Sequence, residues 1–111
     1  MGSRTILEYL DAQGRSPFAR WFGTLDSTAA RRVRVALYRV AEGNDSALAP
    51  IGQGLTELRI DHGPGLRVYL AVHGSELIVL LGGGSKARQQ KDIDAAKDAW
   101  RDYRARKAGG G

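Results

Sequence analysis

With 111 residues, 42% of them hydrophobic and 26% charged, the chain has the length of one small domain and the composition of one that folds around a core. It has no cysteine and two histidines, His62 and His73, which excludes disulfide scaffolds, thiol nucleophiles and thiolate zinc sites. Lys and Arg number 17 against 12 Asp and Glu, a formal charge of +5. Lysine occurs only at Lys86, Lys91, Lys97 and Lys107, so the excess is carried by arginine, whose planar fork matches phosphate and carboxylate. An acidic partner is expected. The longest apolar run, Leu77 to Leu81, is far short of the roughly 20 residues that cross a membrane, and the N-terminus lacks a signal-peptide pattern. A cytoplasmic protein without membrane contact is the expectation.

Taken in chain order, Arg4 to Leu10 is rich in branched and aromatic residues and reads as a strand that ends at the turn Asp11-Ala12-Gln13-Gly14. Ser16 before Pro17 is an N-cap with proline at the first helical position, and Phe18, Trp21, Phe22 and Leu25 then recur at helical spacing. Asp26-Ser27-Thr28 starts a second helix, with Ala30, Val33, Leu37, Val40 and Ala41 on its apolar stripe. Arg31, Arg32, Arg34 and Arg39 make its other side a basic surface. Small residues and glycines from Asp45 to Gly54 predict a loop. Leu55–His62 and Leu66–His73 then form an antiparallel hairpin across Gly63-Pro64-Gly65, and Ser75–Leu81 returns as an apolar strand covered on both faces. Gly82-Gly83-Gly84 breaks the chain before a helix over Lys86–Arg106 that carries Ile93, Ala96, Trp100 and Tyr103 on one stripe. The order β-α-α-β-β-β-α predicts an α+β domain: a small, antiparallel-dominated sheet with two N-terminal helices and one C-terminal helix. It spans residues 1–108 as a single domain, with a flexible glycine tail at 109–111.

Alternation along the hairpin puts Glu57, Arg59 and Asp61 on one face and Arg67, Tyr69 and His73 on the polar face of the partner strand. Any register that buries both apolar faces brings Arg59 close to Arg67 or Tyr69. Two guanidinium groups in one concavity would repel each other and await an anion such as phosphate; alternatively, Asp61 opposite Arg67 and Glu57 beside Arg59 neutralise them as ion pairs. Gly82-Gly83-Gly84-Ser85-Lys86 has the placement of a phosphate-cradling loop but lacks the Gly-Lys-Ser/Thr order of a nucleotide-binding loop. A capping role is its other reading. His62 and His73 both stand beside turns and read as exposed turn residues rather than as acid–base groups. No metal cluster stands out.

The segments "SPFARWF", "LTELRID", "GPGLRVYL", "VLLGGGSKARQQKDI" and the terminal Ala99-Trp100 and Asp102-Tyr103 together resemble the RelE/ParE toxin superfamily, and within it the HigB-like, phage-derived addiction-module killer branch. The resemblance covers roughly Ile6 to Tyr103. It implies a RelE-like fold and the toxin of a type II toxin–antitoxin module, an mRNA endoribonuclease that works on the ribosome without metal or cofactor. It also implies a cognate helix-turn-helix antitoxin and, through that antitoxin, operator DNA. By the same resemblance Arg67, Arg59 and Lys86 are catalytic, with Arg88, Tyr69 and Lys91 beside them as RNA-binding residues. An acidic helical segment of the antitoxin is expected over Arg59, Arg67 and Lys86. Two other readings stay open: a ParE-type inhibitor that binds DNA gyrase without catalysis, and an inactive relative that only binds its antitoxin.

Overall fold

The structure, a computed structural model, describes residues 3–110. Strand β1 (Thr5–Glu8) leads into α1 (Pro17–Phe22), α2 (Ser27–Ala41), β2 (Leu48–Gly52), β3 (Leu55–Ile60), β4 (Leu66–His73) and β5 (Leu77–Ser85). A short 3-10 turn over Lys86–Arg88 then opens α3 (Gln89–Gly110). The strands form one sheet in the order β1-β5-β4-β3-β2, mixed because β1 runs parallel to β5 while the other pairings are antiparallel. This is an α+β fold. No helix of the described residues is long and apolar enough to cross a membrane.

Both helix starts form as their sequences dictate. The Ser16 hydroxyl accepts from the Ala19 N–H at 3.0 Å with Pro17 in the first turn, and the Asp26 carboxylate accepts from the Ala29 N–H at 2.8 Å. Each frees the chain from an orphan donor and fixes where its apolar stripe begins. The stripes of α1 and α2 then pack Phe18, Val33 and Val40 on Leu58, Val68, Leu70, Ile78 and Leu80, one face of the sheet. The opposite face, with Tyr69, Ala71, Val79 and Leu81, is covered by Ala96, Ala99 and Trp100 of α3.

Four expectations are corrected. The segment expected as a loop holds β2, an edge strand paired with β3, where Pro50 forfeits no ladder bond that the fold needs. Its turn was hidden because Gln53 at φ 57° precedes Gly54 at φ 81°, the positive pair of a type I′ hairpin in which glutamine is an unusual first member. The element order is therefore β-α-α-β-β-β-β-α. Secondly, Gly82-Gly83-Gly84 does not break the chain but belongs to β5, paired with Tyr69, Val68 and Arg67, with Leu81 as the extra residue of a bulge. Thirdly, Asp61 lies beyond the end of β3 and is not the partner of Arg67, which pairs with Arg59. Fourthly, α3 continues past Arg106 through Gly109 and Gly110, so the expected tail is helical in these two residues; Gly111 lies outside the described residues.

Strand β1 is fastened on both sides, by the residue before it and by those after it. The Arg4 guanidinium donates to both oxygens of Asp45 at 2.5 and 3.0 Å and to the Val40 carbonyl at 3.2 Å. The Tyr9 hydroxyl donates to Asp102 at 2.6 Å, and Arg106 joins that carboxylate and donates to the Leu10 carbonyl at 2.6 Å. This network holds the Asp102 carboxyl below its ordinary value, first through Arg106 and then through Tyr9.

The glycines of β5 are there because neighbours lie directly on the backbone. A Cβ at Gly83 would stand 2.2 Å from the Trp21 ring on one face, and a Cβ at Gly84 would stand 1.9 Å from the Asp92 carboxylate on the other. Gly83→Ala is expected to cost about 1–3 kcal/mol by overpacking. Gly82→Ala, whose methyl meets nothing within 4 Å, is expected to change stability by no more than about 0.5 kcal/mol. Urea unfolding of the two variants measures the contrast.

Candidate anion site

The register pairs Arg59 with Arg67 and Glu57 with Tyr69, so all four side chains share the sheet face that α3 covers. Glu57 is the one charged residue buried there, 1% exposed. Its Oε2 accepts from Arg59 Nε at 2.7 Å, and its Oε1 accepts from Arg67 Nε at 3.1 Å and from the Gln89 side-chain amide at 3.1 Å. One carboxylate thus pins two strands and the first residue of α3. The arrangement combines the two sequence readings: the arginines converge, and a carboxylate already stands between them.

That carboxylate does not exhaust the arginines. Each engages it through Nε alone, and among the described residues the terminal amino groups of both forks have no protein acceptor. The Arg59 side chain is 64% exposed and the Arg67 side chain 14%. Two positive charges on one negative leave the cluster electropositive, with Arg59 as its accessible arm and Arg67 as its inner one.

Lys86 lies beside them. Its N–H donates to the Gly65 carbonyl at 3.3 Å, and Gly84, two residues earlier, pairs with Arg67. The side chains of Lys86, Arg88 and Lys91 are exposed at the start of α3, whose first turn contains a single acid, Asp92. Cations at the positive end of a helix dipole are unfavourable by a few tenths of a kcal/mol each until an anion offsets them. The expected cradle of glycine amides is replaced by strand pairing, leaving side chains as the anion donors.

Tyr69 lies on the expected face, but that face is covered at its position. It is fully buried beneath α3, its hydroxyl has no partner, and burial pushes its phenol up to about 12, with Glu57 and Asp92 adding in the same direction. Its ring offers no surface to a ligand. His73 is exposed at the far end of β4, edge-on to Trp100 at 6.3 Å and to Tyr103 at 6.5 Å, away from Arg67. His62 lies in the β3–β4 turn, its carbonyl accepting from Gly65.

Sequence reasoning placed Glu57 only next to Arg59 and passed over Gln89 and Asp92. The signal for Glu57 was an acid inside an otherwise alternating apolar strand, two residues before an arginine on the same face. Asp92 gave no such signal, since an acid in a first helical turn needs no special reason. Its Oδ2 is buried without a partner against Gly84, and burial raises its carboxyl above the ordinary value despite Arg88 and Lys91.

No family model matches the chain. An uncharacterized protein of Haemophilus influenzae is 38% identical over 81 residues, a stretch that spans 72% of this chain and 82% of that protein. The chain belongs to the same family as that protein.

Glu57→Gln is expected to cost about 3 kcal/mol in urea unfolding, because it strips the largely buried Arg67 of its counter-charge. For Asp92 the linkage has the opposite sign to a salt-bridged acid. Its raised folded pKa means that the folded state binds the proton more tightly, so its contribution falls as pH rises above the ordinary carboxylate range. Asp92→Asn is expected to be more stable than the wild type at about pH 7, with the difference narrowing toward about pH 3. Urea midpoints across that range measure it.

Proposed function

We propose that the chain is a RelE/ParE-superfamily toxin of the HigB-like branch, an mRNA endoribonuclease acting on the ribosome and held in check by a helix-turn-helix antitoxin. The observation that carries this reading is the pair of guanidinium groups pinned by Glu57 with their outer amino groups unspent. The segments that resemble the superfamily support it by where they fall. They are α1, β3, β4, the passage from β5 into α3 and the Ala99–Tyr103 stretch of α3, and β3, β4 and the start of α3 meet around Glu57. An α+β fold in which helices cover both faces of a five-stranded sheet is compatible with this reading.

The RNA 2′-oxygen attacks the adjacent phosphorus as its proton passes to a base. The bond to the 5′-oxygen breaks and that oxygen takes up a proton, leaving a 2′,3′-cyclic phosphate and a 5′-hydroxyl. Charge grows on the non-bridging oxygens as the phosphorane forms. Arg59 and Arg67 are set to meet it because Glu57 fixes both Nε atoms and hence the plane of each fork. Lys86 supplies a mobile point charge at the edge of the same cluster, and Arg88 and Lys91 extend the field along the RNA. Glu57 is a positioning residue, since its buried carboxylate is fully engaged. Tyr69 is left out of the RNA surface because it has none to offer.

Induced alone, the chain is expected to arrest growth and to stop incorporation of labelled amino acids, with cleavage of ribosome-bound message visible by primer extension. Arg59→Ala and Arg67→Ala are each expected to lower cleavage about 100- to 1,000-fold, the usual cost of losing one preorganised donor, and Lys86→Ala less. Circular dichroism and melting confirm that the variants are folded. Normal incorporation alongside blocked DNA supercoiling overturns the ribonuclease reading in favour of gyrase inhibition.

A further inference from the structure

Strand β5 is longer than its parallel neighbour. Pairing with β1 ends at Glu8 opposite Leu80, whereas the ladder with β4 runs on to Ser85, so from Leu81 onward one edge of β5 has no strand beside it among the described residues. A cleft opens there between α1 and α3. Two adjoining cavities of about 340 and 300 Å³ share Trp21, Thr24, Gly83, Arg88 and Asp92 as lining, a volume that suits one small ligand.

Three chemistries meet in its walls. The half-buried Trp21 brings a flat aromatic ring, held beside Gly83. Arg15 and Arg20 line the larger cavity and Arg88 lines both; all three are exposed, and among the described residues none has a carboxylate within ion-pair distance. Asp92 is the uncompensated group. Its inner Oδ2 is buried against Gly84 without a partner, a cost that a donor reaching the same carboxyl from the cleft would offset. Asp11, the other acid of the larger cavity, is already engaged, its Oδ1 accepting from the Gln13 and Arg15 N–H groups at 2.9 Å each.

We propose that this cleft binds a guanine nucleotide, its base against Trp21 with the N–H edge on Asp92 and its phosphate on Arg15 and Arg20. A flat ring, a donor edge and an anionic tail answer the three walls together. Guanine turns two adjacent donors, N1–H and the N2 amino group, toward one carboxylate. Adenine and cytosine set a ring acceptor beside their amino group, and uracil flanks its single N–H with two carbonyls, so a carboxylate repels part of each of those edges. Arginine forks hold a phosphate without any glycine-rich loop, which leaves the glycines of β5 free to keep the strand edge clear. The site requires only the cleft and stands apart from the ribonuclease reading. Guanine can reach it as a free nucleotide or as one residue of an RNA strand, and the two sources are separable.

Isothermal titration of the full chain tests it with GMP, AMP, UMP, guanosine and two short oligouridylates, one of them carrying a single central guanosine. GMP is expected to bind at least about ten-fold tighter than AMP or UMP. Asp92→Asn, a variant expected above to be more stable than the wild type at neutral pH, is expected to weaken GMP about ten-fold or more and to erase its margin over AMP. Arg15→Ala/Arg20→Ala is expected to weaken GMP about ten-fold and to leave guanosine, which has no phosphate, within about two-fold. Arg31→Ala/Arg39→Ala, the same charge change on α2, is expected to leave GMP within about two-fold. If GMP does not bind but the guanosine-bearing oligouridylate binds at least about ten-fold tighter than the plain one and loses that margin in Asp92→Asn, the site stands and its ligand is a base within RNA. Equal affinity for the three mononucleotides, no binding of GMP together with equal affinity for the two oligonucleotides, or a guanine preference that survives Asp92→Asn overturns the proposal. Cleavage of message or its absence bears on the proposed function alone.

Discussion

A single buried carboxylate holds the functional end of this protein together. Glu57 is nine-tenths or more out of water, a position that is costly for a charge unless it is paired and fully hydrogen-bonded. Three donors from three elements meet that demand: Arg59 from its own strand, Arg67 from the next, and Gln89 from the start of α3. The same bonds that compensate the burial decide which part of each arginine is left over. A guanidinium held at Nε has its plane fixed and its outer edge free, which is the form in which it is most useful to an incoming anion.

The packing of β5 serves the same end from the other side. Because Gly83 and Gly84 carry no side chains, Trp21 and Asp92 rest on the strand from opposite faces. That lets α1 and the first turn of α3 approach the sheet where Arg67 pairs with Gly84. The bulge at Leu81 keeps the apolar residues before it and the glycines after it on their proper faces. Local backbone choices in β5 therefore set the height of α3 above the arginine pair.

Much of this was legible in the sequence, and what was not has physical causes. Ser16-Pro17 and Asp26 announce their helices because caps act locally, and the Phe18 and Val33 stripes follow from helical period. That Arg59 stands close to Arg67 or Tyr69 followed from alternation and the burial of two apolar faces, and the register selects Arg67. The strand at Leu48–Gly52 was missed because its proline and glycines are turn residues everywhere except on an edge. The glycine run read as a break because intrinsic propensity says so; only tertiary contact with Trp21 and Asp92 explains it as strand. Tyr69 was placed correctly on its face, but a face is polar or buried according to what covers it, and the reach of α3 over that face is not written in β4.

The parallel pairing of β1 with β5 carries a consequence for how the molecule is made. Thr5 to Glu8 lie against Leu77 to Leu80, Arg4 is fastened by Asp45, and Tyr9 by Asp102 and Arg106. Strand β1 is thus among the last to find its neighbours, because each of these partners is synthesised after it. Pairings between such distant stretches must meet their loop-closure entropy before any contact rewards it, and they slow folding accordingly. The antiparallel β2–β3–β4–β5 meander can assemble from local contacts, while the β1 edge closes only once β5 is in place. Assembly therefore runs from the middle of the chain outward, with the N-terminal strand as its latch.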